Sequence, residues 1–146
     1  MHARLALLTD LSAIVAFGKG AHERSNYRDI RYNAVHTRRV VKDAIRDPDS
    51  CVYIALRGGN VCGLLIGNVS PLPFSPLLAA TDMVFVAERG GDMLLDLFLK
   101  WAKRMKAVRV DLGVSDDDPG DRVGNLYQRK GLRRAGGVYY KVEVLP

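Results

Sequence analysis

A chain of 146 residues can bury a core of its own and fits a single domain. Its apolar fraction of 48% is ordinary for a globular protein, and no run nears the roughly 20 apolar residues of a membrane span. Met1–Leu5 lacks the pattern of a secretory signal, so the expectation is a cytoplasmic-type globular domain rather than a membrane or exported protein. The net charge of +6 is uneven: residues 19–46 hold eight basic residues against three acids. Arg38, Lys42 and Arg46 recur every four residues and share one helix face. That face is either solvated or a surface for an acidic partner, whether nucleic acid, substrate or protein. It has no aromatic interleaving, and the chain has no specific nucleic-acid motif.

In chain order, Ala3–Leu8 reads as a short strand, and Thr9-Asp10 as the cap of a helix that Gly18 and Gly20 stop after Phe17. Residues 21–35 have no clear period and read as a loop or broken helix. His36–Arg46 reads as a helix ended by Asp47-Pro48-Asp49. Cys51–Arg57 and Val61–Asn68 form a hairpin across Gly58-Gly59, and the prolines mark Ser70–Pro76 as a loop. Closing the hairpin at Gly58-Gly59 puts Cys62 opposite Ala55, and closing it at Gly59-Asn60 puts it opposite Arg57. Neither faces Cys51, so both cysteines are expected to be reduced core thiols. Ala79–Val86 is the next strand. After Gly90-Gly91 comes a helix with Leu94, Phe98, Trp101, Ala102 and Met105 on one face. Val108–Val114 is a buried strand, followed by the acidic turn Asp116–Asp118, a helix holding Tyr127, and a closing strand Val138–Leu145.

The segment Asn125-Leu126-Tyr127-Gln128-Arg129-Lys130-Gly131-Leu132 puts a Leu-Tyr pair one helical turn before a glycine. Arg89-Gly90-Gly91, Phe98-Leu99-Lys100-Trp101-Ala102 and Leu112-Gly113-Val114-Ser115 precede it in order. This set resembles the GNAT family, the Gcn5-related N-acetyltransferases, and most of all short bacteriophage-encoded members. The resemblance covers essentially the whole chain. It implies an α/β (α+β) GNAT fold, a mixed central sheet of about 6–7 strands with about four helices on its faces. It also implies transfer of acetyl from acetyl-CoA to a primary amine of a small molecule or protein, with no covalent intermediate and no metal. His2, His22 and His36 likewise have no metal-ligand spacing, and no Ser-His-Asp or phosphate-transfer signature is present.

The resemblance assigns roles to particular residues. Tyr127 would protonate the leaving thiolate, and its other reading is a core tyrosine. Asp82 on the fourth strand would be the base, and its other reading is a strand-end partner for an arginine. A backbone N–H near Val86 would polarise the carbonyl. Ser115 would relay a proton or merely open a turn. Phe85, Val86, Arg89, Gly90, Gly91, Asp92, Met93 and Asn125 would hold the cofactor. Its pyrophosphate would lie where Glu88-Arg89-Gly90-Gly91-Asp92-Met93 turns into a helix. Here the chain departs from the family: Glu88 replaces Gln or Arg, and Met93 replaces Gly or Ala. At about 8–10 Å and an effective dielectric of about 20, each wrong-signed carboxylate costs on the order of 1–2 kcal/mol. Asp92 also serves simply as a favourable charge in a first helical turn. The rival function is therefore a GNAT-fold structural or interaction module with a decayed cofactor site. Such a module would dock phage structural proteins in a virion through the basic segment 19–46.

Overall fold

Five strands form one mixed sheet in the order β1-β2-β3-β4-β5, in a computed structural model that describes residues 1–114 and 121–143. The strands are β1 (His2–Leu5), β2 (Ser50–Arg57), β3 (Asn60–Leu72), β4 (Ser75–Ala87) and β5 (Arg109–Asp111). The helices are α1 (Leu11–Arg24), α2 (Ala34–Arg46), α3 (Gly91–Arg104) and α4 (Arg122–Arg129). Strands β1 to β4 pair antiparallel with one another in turn, and β4 and β5 run parallel, as the α3 crossover between them requires. This is the expected GNAT architecture, with fewer strands.

The sheet has two buried faces. On one, Leu11 and Ile14 of α1 and Val41 and Ala44 of α2 cover Val52, Ile54, Leu64 and Ile66. On the other, Leu94, Phe98 and Trp101 of α3 cover Tyr53, Ala55, Leu65 and Ala80. Each α3 residue named lies on the apolar stripe expected from its spacing. The helix sits unusually close to β3 because β3 offers glycines where it crosses. A Cβ on Gly67 would collide with the Phe98 ring, and one on Gly63 would lie 2.9 Å from Leu94 Cδ1.

Two bulges set which side chains share a face. At the β2–β3 hairpin, Gly58 and Gly59 both take positive φ, as a two-residue primed turn needs. Arg57 then faces Asn60 and Leu56 faces Val61, but Ala55 faces Gly63. Cys62 is the extra residue, so it faces neither Ala55 nor Arg57. Its carbonyl is turned to accept the amides of Glu88 at 2.9 Å and Arg89 at 3.3 Å. Both cysteines are free and buried, and burial pushes the Cys51 thiol up to about 12. In β4, Ile66 faces Val84 and Gly67 faces Asp82, which leaves Met83 as the second bulge.

Several boundaries differ from the sequence expectation. The first strand stops at Leu5 because Asp10 draws the chain into a turn: its carboxylate accepts from Leu7 N at 2.7 Å and from Arg4 at 2.8 and 3.1 Å. Helix α1 runs through Gly18 and Gly20 to Arg24. An interior glycine costs a helix roughly 1 kcal/mol, and packing offsets this at Gly18, where a Cβ would sit 3.0 Å from Tyr32 Oη. The expected loop Ser70–Pro76 is instead a paired arm, with Pro71 opposite Leu78 and Leu72 opposite Ser75. Proline is tolerated because β2 ends opposite Asn68, so that edge needs no further donor. Phe74, 86% exposed, stands at the tip. The strand expected over Val108–Val114 pairs only from Arg109 to Asp111.

The sixth strand expected over Val138–Leu145 does not form within residues 138–143, and its last two residues lie outside the described ones, as do Ser115 and the Asp116–Asp118 turn. Val138 and Tyr139 are 90% and 99% exposed. With neither a ladder partner nor a face to bury, β propensity alone does not make a strand. The sheet therefore has five strands among the described residues, not 6–7.

Gly67→Ala should destabilise the fold by about 1–3 kcal/mol, the usual cost of forcing a methyl into a filled core. Chemical denaturation of the parent, Gly67→Ala and the pair Gly67→Ala/Phe98→Leu checks this. The smaller residue at 98 should restore part of the loss.

Candidate active site

The site begins where β4 and β5 stop pairing. Their register runs Ala79–Arg109, Ala80–Val110, Thr81–Asp111 and goes no further. From there the strands part, as expected of parallel strands with this crossover. Two side chains bridge the parting through a single residue of the β5 exit. Gly113 N donates to Asp82 Oδ1 at 3.2 Å, and Tyr127 Oη donates to Gly113 O at 2.8 Å.

The Met83 bulge explains why Asp82 is available. Leu78 and Ala80 pack with α3, and Phe85 packs there too, whereas Val84 and Val86 belong to the opposite face. Strict alternation would put residues 82 and 85 on opposite faces. The bulge instead keeps both on the α3 side, with Phe85 stacked on Tyr127 at 6.1 Å between centroids. Val86 turns its side chain to the α1–α2 face, so only its backbone can serve the parting.

Tyr127 is held by the way its helix ends. Gly131 takes φ 90°, Gly131 N donates to Gln128 O at 3.0 Å, and Leu132 N donates to Tyr127 O at 3.0 Å. This left-handed glycine cap ties up the last carbonyls of α4 and fixes the turn that carries the phenol. The ring is buried, which raises the phenol's pKa well above the ordinary tyrosine value, and the Asp82 charge adds to the shift. Asp82 is raised as well: burial is the main cause, partly offset by the Gly113 N–H and by its own backbone N–H.

The glycine turn lies at the same end. Gly90, at φ 81°, occupies the N-cap of α3 and offers no side chain, so Leu94 N bonds Gly90 O at 3.0 Å while the amides before it have no acceptor within the helix. A Cβ on Gly91 would lie 3.8 Å from Leu126 Cδ2 and 3.9 Å from Phe85 Cζ, which puts this turn beside α4 and the phenol. Arg89 and Asp92 are exposed, Met93 is half-buried, and Asn125 is exposed on α4, its backbone N donating to Asp121 O at 2.9 Å. The structure thus brings Asp82, Phe85, Gly91 and Tyr127 together, with Arg89, Gly90, Asp92 and Met93 adjoining.

Two participants were missed in the sequence. Arg24, at the end of α1, reaches across to Glu88 at 3.2 Å. It supplies a positive charge against the carboxylate that departs from the family pattern. Nothing local signals this, because sixty-four residues separate the pair. Gly113 was read only as part of a strand, yet both polar groups of its backbone are used. Among the described residues no group of three or more His, Cys, Asp or Glu could hold a metal, and no helix is long and apolar enough to cross a membrane.

The mixed sheet, parted beyond Thr81 with α3 crossing from β4 to β5, has the GNAT fold. No family model and no curated protein matches the chain by sequence. Solved structures match it over nearly their whole length. One described as a probable acetyltransferase has a TM-score of 0.75 at 17% identity, covering 100% of this chain and 99% of its own. A transcriptional regulator from Bacillus halodurans C-125 has a TM-score of 0.74 at 21% identity, over 97% and 98%. A predicted acetyltransferase from Clostridium acetobutylicum, solved with acetyl-CoA, has a TM-score of 0.70 at 14% identity, over 97% and 95%.

The Asp82 shift fixes a sign. A carboxyl whose pKa is raised by folding costs stability once ionised. The cost is absent below the unfolded aspartate value of about 3.9, grows as pH climbs to the folded value, and is constant above it. Asp82→Asn keeps an oxygen for Gly113 N–H, so it should melt above the parent near pH 7 and level with it near pH 3. Calorimetric melting across pH reads this, and the same offset at both ends would refute it.

Proposed function

We propose that the chain is an acetyl-CoA-dependent N-acetyltransferase acting on a primary amine by direct transfer. The observation that carries this is the pair Asp82 and Tyr127, two protonation-shifted groups bridged by Gly113 at the parting of β4 and β5. Acetyl-CoA would fit the residues present, because the first α3 amides have no side-chain cap and follow directly on a glycine turn. Arg24 offsets Glu88 there, while Asp92 remains a mismatch. A solved structure of the same fold, from Clostridium acetobutylicum, carries acetyl-CoA.

When bound, acetyl-CoA supplies an activated thioester. Arg89 and the amides of residues 91–93 would hold its phosphates, with Phe85 and Asn125 lining the way to them. A backbone N–H near Val86 polarises the carbonyl, because a fixed dipole in a dry site needs no reorganisation. Asp82, a stronger base because burial raises its pKa, would take the ammonium proton directly or through water. The freed amine would attack the carbonyl carbon, the C–S bond breaking as the N–C bond forms. The second N–H proton of the attacking nitrogen would pass through water to Tyr127 once that group has given its own proton to the sulfur. Tyr127, kept protonated by burial, turns from Gly113 O and gives its proton to the departing sulfur. The rival reading, a decayed interaction module in a phage assembly, rests on the basic segment 19–46 and on the cofactor loop with its carboxylates Glu88 and Asp92. The Arg24 pair offsets Glu88 and leaves Asp92 and the basic segment as they were.

Acetyl-CoA at a hundred times its dissociation constant should stabilise the protein by about 2.7 kcal/mol. Calorimetric titration decides: micromolar binding supports the enzyme, and no heat at millimolar cofactor ends that reading in favour of the module. Tyr127→Phe should keep cofactor affinity and lower turnover roughly 10²–10⁴-fold. Unchanged turnover at saturation would reduce Tyr127 to packing. Asp92→Ser should tighten acetyl-CoA binding more than Glu88→Gln does, since Arg24 already neutralises Glu88, and high salt should shrink both gains.

A further inference from the structure

The face of the sheet opposite α3 carries a second built feature. On α1, Leu11, Ile14 and Ala21 are buried. The next stripe at helical spacing, Ser12, Val15, Ala16 and Lys19, lies between α1 and the first turn of α2 and is left open. With Tyr32, Val35 and Arg38 it bounds a cavity of about 360 Å³. That is the small end of the range for ligand sites, about 300–1,000 Å³. A second cavity of about 420 Å³ continues it across the start of α2, sharing Tyr32 and Val35 and reaching Arg31.

The groove has a fixed wall. Tyr32 Oη donates to Val15 O at 2.8 Å, and the absence of a Cβ at Gly18 makes room for that hydroxyl. Asn33 accepts from His36 N at 2.9 Å and so fixes where α2 begins. The lining of the first cavity is mainly apolar and that of the second is mixed, and Val35, which borders both, is 73% exposed. The rim is cationic. Lys19, Arg31 and Arg38 border the two cavities, and no carboxylate lines either one. None of the three has an ion-pair partner among the described residues, and Arg38 reaches only Ser12 Oγ at 3.1 Å.

We propose that this groove is a docking site for an acidic protein segment that presents an aliphatic side chain between carboxylates. The apolar lining takes the side chain, and the rim cations take the acids. Three cations spread along two connected cavities suit an extended chain with several spaced carboxylates. A small acid would satisfy only one of them. The site lies on the other side of the sheet from Tyr127, so an acidic partner can be held there independently of any chemistry at the parted strands.

A fluorescein-labelled peptide Glu-Glu-Leu-Leu-Glu-Glu is the probe, with anisotropy for affinity and amide NMR shifts for location. Binding should perturb signals of residues 12–19 and 31–38 and weaken as salt is added. Val35→Asp puts a like charge beside both cavities on an exposed position, and Lys19→Glu/Arg38→Glu reverses the rim. Each should weaken the peptide at least tenfold while leaving circular dichroism and acetyl-CoA titration unchanged. Replacing the peptide's leucines by alanine should weaken it similarly. The proposal fails if a Lys-Lys-Leu-Leu-Lys-Lys peptide binds as well, if Val35→Asp has no effect, or if no shift appears at millimolar peptide. A dimer that Val35→Asp dissociates would overturn it by giving the face to a second copy. Decanoate that binds there more tightly than the peptide would overturn it in favour of a small amphiphile.

Discussion

The parting of β4 from β5 after Thr81 and Asp111 is the constraint on which the site depends. Parallel strands joined by a helix are held together only by their ladder and by what packs across them. Here the ladder is three residues long, and beyond it the peptide groups of one strand have no partner on the other. Asp82 and Tyr127 supply substitutes, one for an N–H and one for a C=O of the same residue, Gly113. The bonding that a continuous sheet would have made is thus transferred to two ionisable side chains. A defect in the sheet thus becomes a place where two ionisable groups meet, and it gives both a reason to be buried that does not depend on catalysis.

Close packing makes the parting possible. Gly63 and Gly67 let α3 lie directly on β3, and the Cys62 bulge turns a carbonyl to receive the amides of Glu88 and Arg89. The start of α3 is therefore fixed from below by the core and from behind by β3. Its N-terminal amides need no side-chain cap to hold their position. Gly90, in the left-handed region, brings the chain from the strand into the helix without a Cβ in the way.

What the sequence revealed depended on period and on local chemistry. The α3 stripe, the Gly58-Gly59 hairpin and the Leu-Tyr segment before Gly131 were legible because each is a signal within a dozen residues. The extent of α1 was not legible, since Gly18 and Gly20 read as stops until Tyr32, packing from a distant loop, is seen to need the space. The proline arm read as a loop because proline's missing donor matters only on a strand that has a further neighbour. Arg24 was invisible as a partner of Glu88 for the same reason of distance. The sixth strand failed for lack of a partner, which no local pattern reports. Whether Asp82 and Tyr127 act as a pair could not be read either, because the Met83 bulge that brings Asp82 and Phe85 to one face leaves no mark in the sequence.

The two buried thiols have a consequence of their own. Cys51 lies near the start of β2, opposite Gly67, with its ionisation suppressed by burial, and Cys62 forms the bulge that anchors the glycine turn. Both thiols are buried, so the closed protein gives oxidants and alkylating agents little access to either. Each thiol becomes reactive only when its own part of the sheet opens. The chain therefore carries two internal clocks, one for separation of the central strands and one for release of the turn at the head of α3. The interval between their modification rates would separate breathing near the parted strands from loss of the whole core.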